Sequence, residues 1–164
     1  MFSLTSNKTS YFAKFSIVFG ILLFTNTQTA FSKEYVVKAV GMKWKPEILV
    51  IEKGDSVKFI GMMGHDTQSM KELSPQGYLG WKSDMGEEGF VVNFDEKGVY
   101  FHKCNPHVNA GMFGAILVSK DIPQDEFDRL SANTKALGIG GPAVRRIFKK
   151  VETKINNRMA VKVD

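Results

Sequence analysis

An all-β fold, an antiparallel β-sandwich followed by two C-terminal α-helices, is what this 164-residue sequence predicts. Three observations carry the prediction. Between residues 34 and 119, six short segments rich in Val, Ile and Phe are separated by turn residues, the pattern of strands. After Ser119 the apolar positions fall three and four apart, the spacing of helices. The length suits one domain with an appendage, and strands this short bury their apolar faces only by closing on one another as a sandwich.

The elements follow in order. Residues 1–14 carry Lys8 and Lys14 and no acid, and "FSIVFGILLF" (15–24) is an apolar run too short to span a bilayer. Ala30 and Ser32 then fit a small-x-small cleavage site, so residues 1–32 read as a secretory signal peptide, with an uncleaved anchor as the alternative. Strands are expected over "EYVVKAV" (34–40), "EILVI" (47–51), "SVKFI" (56–60), "GFVVNF" (89–94), "VYFHKC" (99–104) and "FGAILVS" (113–119). Turns are marked by "EKGD" (52–55) and "DEKG" (95–98). The interval 72–88, with Pro75, Gly77, Gly80 and Gly86, reads as an irregular excursion with room for one helical turn. Residues 33–119 form the main domain.

Residues 120–164 form a helical extension. Pro123 stands at a helix start, and Asp125, Glu126 and Asp128 suit the positive end of the helix dipole over 123–137. "GIGG" (138–141) ends that helix and Pro142 opens another. On the second, Val144, Ile147, Phe148, Val151, Ile155 and Met159 make one apolar stripe that is expected to fold back on the sandwich.

Charge is unevenly placed. Of the formal net charge of +5, the leader supplies two lysines; residues 33–119 are near neutral and the extension is basic. A basic tail on a neutral domain argues against a nucleic-acid partner, and a solvated face is the ordinary reading of the last helix.

One cysteine stands in the whole chain, so no intramolecular disulfide forms. In an oxidising compartment Cys104 is either buried and inert or has its sulfur occupied. It lies in "HKCNPHVNAGM" (102–112), where a strand delivers the thiol to a loop turned by Pro106 and Gly111. A thiolate, the His107 imidazole and the Met112 thioether thus converge from one short loop. Thiolate and thioether are soft ligands for Cu(I), imidazole serves both oxidation states, and a weak axial Met is usual in sites with two His and one Cys. The second imidazole comes from His65 or His102. His102 sits about 6–7 Å along the strand from Cys104 and is too far, so His65, in a loop after a strand, is the better ligand. Structural zinc prefers four Cys or His ligands, and a Cys–His nucleophile pair leaves Met112 without a role. The remaining methionines are scattered, and Trp44 and Trp81 read as packing residues.

The stretch "GHDTQSMKELSPQG…WKSDMGEEGFVVNFDEKGVYFHKCNPHVNAGMFGAILV", with "WKPEILVIEKGDSVKFI" upstream and the two-helix tail, resembles the type 1 copper proteins called cupredoxins, and within them pseudoazurin. The resemblance covers nearly all the chain after the leader. It implies a Greek-key sandwich, one copper ion held by His65, Cys104, His107 and axial Met112, and no enzymatic activity. It also implies a monomeric periplasmic electron carrier, exchanging single electrons with redox proteins such as a nitrite reductase or a cytochrome. His107 would open onto an apolar docking patch of Pro106, Val108, Ala110, Met62 and Met63, flanked by Lys82 and Lys103.

Four positions depart from the family's pattern. Asp66 stands where Asn is common and Asn105 where Ser or Thr is common, which suggests an exchanged pair with the Asn105 amide donating to Asp66. Met63 replaces a lysine, and His102 replaces an apolar inward residue and reads as a hydrogen-bonded core histidine. A copper delivery or storage protein is the alternative function. Such a protein needs affinity and release rather than a complete His–Cys–His–Met set.

Overall fold

The computed structural model describes residues 31–119, 121–138 and 140–160. The leader expected over 1–32 lies outside them, save its last two residues. Eight strands precede two helices: β1 Glu34–Val40, β2 Lys43–Lys45, β3 Ile48–Ile51, β4 Ser56–Ile60, β5 Gln68–Ser69, β6 Phe90–Asn93, β7 Gly98–Lys103, β8 Phe113–Val118, α1 Gln124–Ala136 and α2 Gly141–Ala160. They form two four-stranded sheets in the orders β2-β1-β4-β6 and β3-β8-β7-β5.

The sandwich and its two helices are as expected, but the pairing is not purely antiparallel. β1 runs parallel to β4, with Tyr35 opposite Val57, and β3 runs parallel to β8, with Leu49 opposite Ile116. Parallel neighbours need a crossover connection. Here the chain changes sheets between β2 and β3, so β1 and β3 each meet a later strand side by side. The excursion expected over 72–88 carries one helical turn, but slightly earlier, at Lys71–Leu73.

β7 and β8 explain why the chain has two cores. Every β8 residue is buried, as are five of six in β7. Successive strand side chains point to opposite faces. On one face Tyr100, Cys104, Ile116 and Val118 meet Val37, Trp44, Val57 and Phe59 of the other sheet. On the other face Val99, Phe101, Phe113, Ala115 and Leu117 meet Leu130, Val144, Ile147, Phe148 and Val151 of the helices. Sheets covered on both sides read as continuous apolar runs, and "FGAILV" is one. Each fully buried Val, Leu, Ile or Phe contributes about 1.5–3 kcal/mol.

Polar clasps fix the helices to the sandwich. Arg129 donates to the Ser74 carbonyl at 2.6 Å and to Glu126, and Asn133 donates to the Glu72 carbonyl at 2.7 Å. Glu47 beside β3 receives both Arg146 and Lys150 of α2. The α2 stripe is buried from Val144 to Val151 and half-buried at Ile155; Met159 lies beyond the described side chains. Among the described residues no helix is long and apolar enough to cross a membrane.

Candidate metal centre

β7 delivers Cys104 to the end of the sandwich, and the chain at once turns through a 3-10 turn at Asn105–His107. Pro106 suits that turn, since its fixed φ is helical and its missing N–H is an orphan there anyway. The loop closes by backbone hydrogen bonds. His107 N–H donates to Cys104 O, Met112 N–H to His107 O and Cys104 N–H to Met112 O, each at 3.1 Å. Gly111 takes φ 76°, in the left-handed region that favours glycine, and returns the chain to β8. Cys104, His107 and Met112 are therefore tied to one another before any metal is considered.

His65 arrives from the other sheet. β4 ends at Ile60, and a tight turn follows in which His65 N–H donates to Met62 O at 2.8 Å. Glu88 pins that turn from outside, its two carboxylate oxygens accepting Gly61 N–H and Met62 N–H at 2.9 Å each. Gly86 N–H donates to His65 O at 2.8 Å. The clamp by Glu88 is not visible in the sequence, because the carboxylate and the amides it holds are 26 and 27 residues apart.

These elements bring three donors together. Cys104 Sγ lies 3.5 Å from His65 Nδ1 and 3.4 Å from His107 Nδ1, and all three ligand atoms lie within 4.8 Å of one another. Bonds of about 2.3 Å to sulfur and about 2.0 Å to nitrogen span such an edge when they open by roughly 110°, the angle of a tetrahedral or trigonal ion. The set therefore fits a soft, borderline ion such as copper. Met112 is 1% exposed and shares a buried cluster with Cys104.

The electrostatics suit metal capture. Burial pushes the Cys104 thiol up, and the Asp66 charge adds to it while N–H donors oppose it. A cation at the sulfur displaces that proton, as metal binding to thiols does. Burial and the neighbouring His107 hold His65 down, against an opposing pull from Asp66, which favours the neutral, ligating imidazole.

Around the donors, Asp66 is buried and accepts Asn105 N–H and Asn105 Nδ2–H, both at 2.6 Å. Asn105 Nδ2 also donates to Gln68 Oε1 at 2.9 Å. The bridge links the loops of His65 and Cys104 directly. His102 stays out of the donor group. It is buried among Trp44, Phe59 and Trp81, with Thr67 Oγ1 3.4 Å from its Nδ1. Burial drives its pKa down to about 3, so it is a neutral core residue. Gly114 opposite it on β8 makes the room, for a Cβ there would overlap the imidazole.

The expected docking patch needs one correction. Met62 is 0% exposed and belongs to the inter-sheet core, whereas Met63 is 91% exposed. Adjacent residues leaving a strand face opposite ways, and Met62 takes the inward position. Pro106, Ala110 and Lys82 are exposed, and His107, Val108 and Lys103 are half-buried. Val108 leans toward the helical core.

Comparison with known proteins adds to this geometry. The profile of copper binding proteins of the plastocyanin/azurin family matches residues 32–119. A pseudoazurin of Methylorubrum extorquens is 36% identical over 92 residues, covering 56% of this chain and 58% of the relative. A pseudoazurin of Paracoccus pantotrophus is 32% identical over 85 residues, 51% of this chain and 57% of the relative. The chain thus spans a little over half the length of these curated relatives. Among solved structures, a Sinorhizobium pseudoazurin superposes with a TM-score of 0.62 at 30% identity, covering 73% of this chain and 97% of that one. The Methylobacterium extorquens AM1 pseudoazurin gives 0.60 at 29% identity, covering 72% and 98%.

Proposed function

This chain belongs to the plastocyanin/azurin family of copper-binding proteins, and from that premise we propose that it is a single-electron carrier rather than an enzyme. The observation that carries the reading is the convergence of one thiol and two imidazoles, with Cys104 Sγ 3.4 and 3.5 Å from the two Nδ1 atoms. His65, Cys104 and His107 would hold the ion, with the buried Met112 thioether as a fourth donor. Copper bound there supplies one-electron Cu(II)/Cu(I) chemistry. The protein's own part is to hold the donors still. The closed loop, the Asp66–Asn105 bridge and the Glu88 clamp keep one arrangement of side chains for both charge states, so little has to move when an electron passes. Partly exposed His107 would be the edge through which the electron leaves, with exposed Met63, Pro106 and Ala110 as its docking patch and Lys82 and Lys103 steering acidic partners toward it. Segment 1–32 exports the chain to the periplasm, where it works as a monomer with redox proteins such as a nitrite reductase or a cytochrome.

The test is the visible spectrum of the Cu(II)-loaded protein before and after ascorbate. An intense thiolate-to-copper band that bleaches on reduction and is missing from Cys104→Ala is expected. Only a weak band, of ordinary nitrogen and oxygen ligation, would remove the carrier reading in favour of copper delivery or storage.

A further inference from the structure

The ligand loop is closed on one side by the sandwich and on the other by the start of α2. A Cβ built on Gly111 would stand 3.3 Å from the Ala143 Cβ. One turn earlier, Gly140 lies so close to the strand after the loop that a Cβ there would be 2.6 Å from Phe113 Cζ and 3.5 Å from Val108 Cγ1. Both glycines take positive φ, 76° at Gly111 and 87° at Gly140. Close approach and left-handed backbone thus coincide at both glycines, one in the loop and one just before the helix.

We propose that the first turn of α2 is a positioning element for the copper-ligand loop, with Ala143 as the stop against which Gly111 is set. The helix is a firm wall. Val144, Ile147 and Val151 are fully buried beneath it, and Glu47 holds Arg146 and Lys150 at 2.9 and 2.6 Å. The loop is a coupled object. Ala110 N–H and Met112 N–H both donate to His107 O, and Gly111 N–H donates to Val108 O. A displacement at Gly111 therefore reaches His107 and Met112 together, and Cys104 through its N–H on Met112 O. Interiors transmit such strain rather than absorb it. The helical extension, which contributes no ligand, thereby helps set the geometry of three of the four. Its spectroscopic consequence rests on the copper reading above; the mechanical contact does not.

The experiment compares Ala143→Leu and Ala143→Gly with the parent in the full chain, copper-loaded and metal-free. Lys149→Leu, exposed on the same helix, is the control. Ala143→Leu is expected to shift both the thiolate-to-copper band and the reduction potential, and Lys149→Leu neither. In the metal-free protein, Ala143→Gly is expected to speed amide exchange at Gly111 and Met112 about tenfold, with the core strands unaffected. Parent-like band, potential and exchange in both Ala143 variants overturn the proposal while leaving the carrier standing. If the leucine variant fails to fold, the glycine variant decides. If the parent shows no intense band, the carrier reading fails, and the exchange measurement alone judges the contact.

Discussion

At the scale of single residues, charge near the donors is the main lever. Asp66 places a buried carboxylate between the loops of His65 and Cys104, fixed by two 2.6 Å hydrogen bonds from Asn105. An anion so close favours the more positive state of any ion held there. Asp66→Asn is therefore expected to raise the reduction potential, on the order of 50 mV, where about 59 mV is a tenfold change in a one-electron equilibrium. The bridge survives the change, since the Asn105 and Gln68 amides can turn over to accept and donate in reverse. Voltammetry of the copper-loaded variant settles it, and an unchanged or lower potential sinks the idea. Glu88 acts on stability instead. The Met62 and Gly61 N–H groups hold its carboxyl below the usual glutamate range. A depressed carboxyl contributes stability that is full above the unfolded pKa and is lost as pH falls through the folded one. Glu88→Gln should accordingly melt below the parent at pH 7, and the gap should close as acidification passes below the ordinary glutamate range. A gap that stays constant from pH 7 to pH 3 would show that the charge on this clamp does not matter.

At the scale of elements, the sheet of β7 and β8 has to serve two cores, and α2 supplies one of them. Ile147 is fully buried against it. Ile147→Ala is expected to cost about 2–4 kcal/mol in urea denaturation, with the thiolate-to-copper band in place because the contact lies beyond the helix's first turn. Elements of this kind were legible in the sequence. The Val, Ile and Phe runs marked β1 and β4 to the residue, and the spacing of Val144, Ile147, Phe148 and Val151 marked the buried stripe. What escaped was what pairing alone decides. β2 is three residues, "KWK", and is a strand only because β1 lies beside it across the Gly41–Met42 turn. β5 is two residues held by β7. Side-chain alternation carries no strand direction, so the parallel partners of β1 and β3 left no mark. The ligand loop was legible for the opposite reason, since Cys104, His107 and Met112 are local in sequence. His65 was found by elimination among three histidines. Which of Met62 and Met63 faces outward depends on where β4 leaves the sheet, and the residue types do not encode that.

At the scale of the whole molecule, α1 and α2 behave as a third layer rather than as an appendage. The face of β7 and β8 that it covers consists of Val99, Phe101, Phe113, Ala115 and Leu117, with Leu73 beside them. A sandwich that stood alone would turn polar residues outward on that face, as β1 does with Glu34 and Lys38 on its exposed side. This sheet turns only Gln68 and Lys103 that way, at the end where β5 meets β7. A chain stopped after Ser119 keeps all four proposed ligands and every strand, yet exposes a contiguous apolar sheet face together with the loop that α2 flanks. Such a patch drives association. The truncated chain is therefore expected to elute as aggregates in gel filtration, to bind a hydrophobic dye, and to lose the sharp thermal transition of the full chain even with copper added. The opposite result, a monomer with a cooperative melt and the parent's copper band, would mean that the inter-sheet core suffices. The helices would then be an addition to a complete domain. The burial of both faces of β8 argues for the first outcome, because a strand reading "FGAILV" has no solvent side to present once the helices are gone.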